Sequence, residues 1–235
     1  MAEKHIIDTG TGEKLSARLH SADSDRWIFF CHGFGSNKEG SYERRAERAV
    51  KEGFNAVRFD FRGNGESDGD FIEQNLSSRM KDLESVIDYF GPDRYVLFGS
   101  SFGGKVAFHT AIRRDPEAVI GRSPVTYNDI MSDYREEIEE KGVVEKIEGK
   151  KVDERFFEDF DKYSFSETAK KIESPVMIFH GDEDRLVDIE NSWVAADELN
   201  VDVSVQKFVG EGHSFSDRAE QNMMDLMFCW LRNVL

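Results

Sequence analysis

Ser101 stands in Tyr95-Val96-Leu97-Phe98-Gly99-Ser100-Ser101-Phe102-Gly103-Gly104, where an apolar run that reads as a buried strand passes through Gly-Ser-Ser-Phe-Gly into a helical segment. A serine on so sharp a strand-to-helix turn needs tiny neighbours two residues before and two after. Gly99 and Gly103 meet that need, so that backbones can approach closely. The turn holds the hydroxyl clear of the sheet, beside a helix N-terminus whose partial positive charge favours negative charge developing there. The chemistry implied is nucleophilic attack. A phosphate-binding turn is the rival, and the absence of a Lys-Ser or Lys-Thr pair at the loop end disfavours it.

A neutral serine is a poor nucleophile, so Ser101 requires a base, and the base requires a carboxylate to orient it. Among six histidines, His213 stands apart, because Gly210-Glu211-Gly212-His213-Ser214-Phe215 is a glycine-containing loop that follows an apolar run. His5 falls in a first hairpin, His20 in a polar turn, His109 in mid-helix, and His180 at a strand end where it serves the turn. For the acid, Val176-Met177-Ile178-Phe179 runs into His180-Gly181-Asp182-Glu183-Asp184, which sets three carboxylates just past another strand. Asp184 is the expected partner, with Asp182 and Asp188 as rivals that read as a turn residue and a helix N-cap. The chain order Ser101, Asp184, His213 is nucleophile, acid, base, which conflicts with the orders of the chymotrypsin and subtilisin types.

These residues need a scaffold, and the apolar pattern supplies one. Residues 4 to 19 read as two short strands around Gly10-Thr11-Gly12, and Trp27 to Cys31, Asn55 to Phe61, Tyr95 to Phe98, Ala118 to Ile120, Val176 to Phe179 and Val203 to Val209 as further strands. Between and after them, Tyr42 to Glu52, Leu76 to Phe90, Phe102 to Arg114, Ile189 to Leu199 and Arg218 to Leu235 carry helical spacing. Strands alternating with helices imply parallel crossovers, hence an α/β doubly wound sheet that places its site at the carboxyl ends of the strands. The exception is 124–169, rich in Glu, Lys and Asp, with Ile130, Met131, Tyr134 and Ile138 at helical spacing and then Phe156, Phe157 and Phe160. This reads as an insertion of short helices forming a cap, with 1–123 and 170–235 as the core.

Composition removes other classes. The chain has 235 residues, with 31 Lys and Arg against 47 Asp and Glu, a net charge of −16. Phosphate contacts need clustered positive charge, so nucleic acid and anionic membrane surfaces are not expected partners. The acid excess suits a well-solvated surface or a salt-rich cytoplasm, where screening removes self-repulsion. The N-terminus carries no apolar signal region and no run approaches the roughly 18 residues that span a bilayer, so a cytoplasmic location is expected. Cys31 and Cys229 have no metal or redox spacing and read as small buried hydrophobes.

With these motifs in hand, the chain resembles the α/β-hydrolase superfamily over essentially its whole length. Besides Gly99 to Gly103, the resemblance rests on His32-Gly33-Phe34-Gly35, Asp60-Phe61-Arg62-Gly63-Asn64-Gly65-Glu66-Ser67-Asp68-Gly69, His180 to Asp184, and Gly212-His213. Arg58-Phe59-Asp60, His213-Ser214-Phe215-Ser216-Asp217 and the small cap are similar to the cinnamoyl or feruloyl esterases and their carboxylesterase relatives. The resemblance implies an oxyanion hole of the Phe34 and Phe102 backbone amides, two-step acyl transfer through Ser101, Asp184 and His213, a small-molecule ester substrate, and no metal or organic cofactor. His32 is expected to brace its loop, and Asp60 and Ser67 to bond backbone amides in a tight turn. Phe34, Phe102 and Phe215 are expected to flank a pocket for aryl or medium acyl groups. Monoacylglycerol lipase, thioesterase and small peptidase are the alternatives within the fold. A non-catalytic ligand-binding protein is the alternative outside enzymes, and the intact Ser, Asp and His set argues against it.

Overall fold

The computed structural model describes residues 2–128 and 132–235; Ile130 and Met131, part of the apolar set expected in the insertion, lie outside the described residues. The chain runs β1 (Glu3–Asp8), β2 (Lys14–His20), β3 (Arg26–Cys31), α1 (Ser41–Lys51), β4 (Asn55–Phe59), a short 3-10 turn (Phe71–Glu73), α2 (Leu76–Phe90), β5 (Arg94–Ser100), α3 (Phe102–Arg114) and β6 (Ala118–Arg122). Then come α4 (Ser132–Lys141), β7 (Val143–Ile147), β8 (Lys150–Asp153), α5 (Glu154–Phe160), α6 (Phe165–Ala169), β9 (Val176–Gly181), α7 (Glu190–Glu198), β10 (Val203–Phe208) and α8 (Asp217–Val234).

Eight strands form one sheet in the order β1-β2-β4-β3-β5-β6-β9-β10. The β1–β2 hairpin and the β2–β4 pair are antiparallel, and every other pair is parallel. Helices cover both faces, which is why β3 and β5 are nearly continuous apolar runs and not alternating ones. On one face α1 and α8 bury Tyr42, Ala46, Ala49, Met223, Met227, Phe228 and Leu231 against Ile28, Phe30, Val96 and Phe98. On the other, α2 and α3 bury Leu76, Met80, Leu83, Val106 and Phe108 against Phe29, Val57 and Leu97.

The expected helices form where local signals place them. Asn75 starts α2 with a reciprocal capping box, its Oδ1 accepting from the Ser78 amide at 2.9 Å and its own amide donating to Ser78 Oγ at 2.9 Å. Gly91 ends the helix in the left-handed conformation. Two differences concern the site. β4 stops at Phe59, short of Phe61, because Asp60 turns its carboxylate onto the Lys38 amide (2.7 Å) and the Glu66 amide (2.9 Å). The insertion is not only helical: β7 and β8 form a two-stranded antiparallel hairpin. Among the described residues no helix is long and apolar enough to cross a membrane.

Cys31 is buried as expected, and burial pushes its thiol pKa up, but Cys229 is exposed. On α8 the buried stripe runs through Met223, Met224, Met227, Phe228 and Leu231, and position 229 falls out of phase with it.

Candidate active site

Ser101 sits between the end of β5 and the start of α3 with φ 53° and ψ −122°, a conformation that L residues rarely adopt and that surrounding structure must hold in place. Its amide donates to the Arg122 carbonyl at 2.9 Å, and its carbonyl accepts from the Val125 amide at 3.1 Å. The flanking glycines are required by space. A Cβ on Gly99 would fall on the Gly103 carbonyl, and a Cβ on Gly103 would fall on the carbonyls of Cys31 and His32. The His32–Gly35 loop therefore lies directly against the turn, with the position of a Gly33 Cβ only 3.3 Å from Ser101 Cβ. Phe102 opens α3, so its amide has no partner within the helix. Neither that amide nor the Phe34 amide makes a hydrogen bond among the described residues.

Asp184 and His213 meet. His213 Nδ1 lies 2.8 Å from Asp184 Oδ2, while Asp184 Oδ1 accepts from the amides of Leu186 (2.9 Å) and Val187 (3.0 Å). The carboxylate is fully buried, and burial alone would raise its pKa. Hydrogen bonding from His180, His213 and the Val187 amide outweighs burial and holds Asp184 well below the usual carboxylate range. Because Nδ1 faces the carboxylate, the Nε2 edge of His213 is left for the cavity that Ser101 and His213 both line. The rival acids do other work: Asp182 Oδ1 accepts from the Gly210 amide at 2.7 Å, and Asp188 Oδ1 from the Glu190 amide at 2.9 Å just ahead of α7.

Three other histidines make contacts that hold loops and helices together. His32 is wholly buried, with Nδ1–H donating to the Gly33 carbonyl (2.8 Å) and Nε2 accepting from the Phe61 amide (3.1 Å), so it braces two loops at once. Burial, reinforced by the charge of Arg79, lowers its pKa to about 3. His180 Nε2 donates to the Val187 carbonyl at 2.8 Å, which holds the Asp184 turn closed. His109 bonds Thr168 across α3 and α6 at 2.8 Å. Ser67 Oγ bonds the Asp60 carbonyl (2.6 Å) and accepts from the Ser16 amide (2.9 Å), as a tight turn requires.

Several arginines around Ser101 carry no local sequence signal. Arg45 from α1 grips Glu220 from α8 with two hydrogen bonds, one of them Nη2 to Oε2 at 2.9 Å. Its Nη1 also donates to Ser100 Oγ at 3.2 Å. The same oxygen accepts from Arg122 Nε at 3.2 Å, and Arg122 Nη1 donates to the His213 carbonyl. Arg122 thus ties the turn bearing Ser101 to the loop bearing His213. Its place at the carboxyl end of β6 was the one available pointer, since sites on such sheets gather there. Arg79 of α2 is buried with no hydrogen-bond partner for any guanidinium nitrogen among the described residues. It sits 5.3 Å from the ring centres of Phe61 and Phe71 and 5.4 Å from that of Phe102, and burial lowers its pKa to about 10.

The cavity above Ser101 measures about 390 Å³. Phe34, Phe102 and Val187 from the core, with Val125, Tyr134 and Ile147 from 124–169, make its apolar side. Ser36, Ser41, Tyr42, Ser214 and Arg122 make a polar side. Phe215 does not line it as expected. Its ring packs on Phe208, with centroids 4.9 Å apart, and lies under the Arg122 guanidinium at 5.5 Å, on the α1–α8 face of the sheet.

Comparison with known proteins bears on the fold. Residues 22–133 match the family described as Hydrolase_4, serine aminopeptidase S33. Human palmitoyl-protein thioesterase ABHD10, mitochondrial, is 29% identical over 217 residues, covering 84% of this chain and 70% of that protein. Among solved structures, Est1E from Butyrivibrio proteoclasticus with ferulic acid bound superposes with a TM-score of 0.87 at 22% identity, covering 97% of this chain and 98% of that one. Mouse alpha/beta hydrolase domain-containing protein 10 gives 0.86 at 24%, covering 99% and 98%. The chain has the α/β-hydrolase fold. The fold leaves the substrate open, because one α/β-hydrolase scaffold hosts many reactions through changes at its cavity walls.

Proposed function

We propose that the chain is a serine hydrolase that cleaves carboxylic esters or thioesters of small acyl or aryl acids through an acyl-enzyme. The observation that carries this reading is the buried Asp184–His213 pair sharing a cavity with a serine on a sharp strand-to-helix turn. Ser101 Oγ attacks the acyl carbon as its proton passes to His213 Nε2. Asp184 holds the imidazole by Nδ1–H and stabilises the imidazolium. The carbonyl oxygen takes up charge beside the amides of Phe34 and Phe102, fixed donors that need no reorganisation. Collapse expels the alcohol or thiol, which takes the proton from His213. Water then attacks the acyl-serine, gives a proton to His213, and releases the acid with Ser101 restored. The segment 124–169 acts as a cap whose Tyr134 and Ile147 bear on the acyl group. Feruloyl and short-chain carboxylic esters suit the ring-lined side, and the names of the relatives extend the substrate range to thioesters.

The test is intact-mass analysis after treatment with a fluorophosphonate probe, for the wild type and Ser101→Ala, with turnover measured on aryl, alkyl and thioester substrates. One adduct, mapped to Ser101 and absent from the variant together with turnover, is expected. A folded wild type that takes no adduct overturns the hydrolase reading and leaves a ligand-binding protein. The substrate panel separates the esterase from monoacylglycerol lipase, thioesterase and peptidase activities.

A further inference from the structure

We infer that the polar side of the cavity is a carboxylate subsite, and that the preferred substrate is an ester or thioester carrying a carboxylate, read by Arg122. The inference rests on the hydrolase reading for its place in catalysis and on independent geometry for the subsite itself. Among the described residues Arg122 is the one arginine or lysine on the cavity wall and no acid lines it, in a chain where acids outnumber bases 47 to 31. Among the described residues no carboxylate pairs with Arg122. Glu220, the acid between the two arginines, is already gripped by Arg45 through both of its oxygens.

The guanidinium is fixed and only partly used. Nε is committed to Ser100 and Nη1 to the His213 carbonyl, and the ring of Phe215 backs it at 5.5 Å. Nη2 makes no hydrogen bond among the described residues and keeps some exposure, and Arg122 lines the cavity. Holding an arginine beside a second buried arginine, with no anion of its own, is unfavourable for the empty protein and becomes favourable when an anion enters. The hydroxyl-bearing Ser41 and Tyr42 share that wall and can complete the contacts of a carboxylate, which accepts on two oxygens. The apolar lining, Phe34 and Phe102 with ring centres 5.9 Å apart and Ile147, takes an apolar group. Together the two sides favour a substrate apolar at one end and anionic at the other, with the scissile carbonyl between them over Ser101.

Two substrate pairs test this: 4-acetoxybenzoate against its methyl ester, which puts the charge on the leaving group, and monophenyl succinate against phenyl butyrate, which puts it on the acyl group. The expected result is a higher kcat/KM for the charged member of at least one pair, with that ratio falling tenfold or more in Arg122→Gln and partly restored in Arg122→Lys. Because Arg122 also holds the His213 loop, the ratio and not the absolute rate is decisive. An equal loss on charged and neutral members, or a wild-type ratio at or below one in both pairs, overturns the inference. Calorimetric titration of Ser101→Ala with 4-acetamidobenzoate and with its methyl ester reads the subsite without turnover. Tighter binding of the acid, lost when Arg122→Gln is added, supports the subsite; equal binding sinks it. Absence of Ser101 labelling in the wild type would fail the hydrolase reading alone. Should Arg122→Gln not fold, Arg122→Lys decides: it must keep the preference for the charged member at reduced size.

Discussion

The two walls of the cavity are built by different physics. The core wall is held by directional bonds: Ser101 is pinned through its own amide and carbonyl, Asp184 by two amides, and the His213 loop by Arg122. The wall from 124–169 is held by rings and apolar contact. Phe34 meets Phe156 at 5.8 Å and Tyr134 at 6.5 Å, and Ile147 presses on the Gly35 backbone. Apart from the Val125 amide on the Ser101 carbonyl, its polar anchors reach other elements, as in the Asp159 carboxylate accepting from Ser77 at 2.8 Å on its amide and 2.5 Å on its hydroxyl. Directional bonds fix atoms to the tolerance that proton transfer needs, whereas packing fixes a shape that can be altered without disturbing the chemistry. The difference assigns rate to the core wall and preference for the acyl chain to the other, with Arg122 the one core residue proposed to serve both.

The largest expected effect breaks the core wall alone. Asp184→Asn keeps the volume of a fully buried side chain and removes the charge that orients His213. Turnover of any ester substrate should fall about 10⁴-fold, with KM nearly unchanged. Steady-state kinetics on an aryl acetate checks this. A loss below about tenfold would mean that Asp184 does not orient the base and that the core wall is no more exacting than the other.

A second contrast concerns stability and separates two arginines that are equally buried. Arg45 is paired, so Arg45→Met strands the Glu220 carboxylate, and breaking such a pair costs about 3–5 kcal/mol. Arg79 has no hydrogen bond to lose, so Arg79→Met removes a desolvated charge from among Phe61, Phe71 and Phe102 and should leave stability equal or higher. Urea unfolding of both variants reads the difference directly. Equal destabilisation would show that the ring contacts of Arg79 stabilise it as much as a carboxylate stabilises Arg45.

The same division explains what the sequence made legible. Ser101, with Gly99 and Gly103, was readable because the close approach of backbones is enforced within five residues. Asp184 and His213 were readable because each follows a strand in a short loop, and the parallel alternation sends all such loops to one edge. Arg45 and Glu220 are 175 residues apart, and neither has a local reason to be where it is, so their pairing exists only in the folded chain. The β7–β8 hairpin was missed because its strands are short and charged, with Glu145 and Lys151 in cross-strand register, so that neither strand shows the apolar alternation by which strands are recognised. Phe215 was misplaced for a simpler reason. A loop aromatic two residues from His213 can face the cavity or the sheet, and Phe208 together with Arg122 draws it to the sheet.

The smallest expected effect is the one that sharpens the comparison most, because it must alter preference while sparing rate. Ile147 lies on the turn side of β7, lines the cavity, and is 40% exposed, so trimming it opens space without emptying a core. Its contact with Gly35 is carbon against backbone, and no hydrogen bond to the Ser101 or His213 loops depends on it. In Ile147→Ala, phenyl acetate should turn over within about threefold of wild type, since an acetyl group does not reach that far. Phenyl butyrate and longer acyl esters should lose roughly 1 kcal/mol of transition-state binding, about fivefold in kcat/KM, because a methylene in an apolar pocket is worth little more. Thermal midpoints should stay close to wild type, as expected for a side chain with so much exposed surface. A uniform fall across acyl lengths would mean that Ile147 acts through Gly35 on the placement of the Phe34 amide, and would move this part of the 124–169 wall from preference to rate.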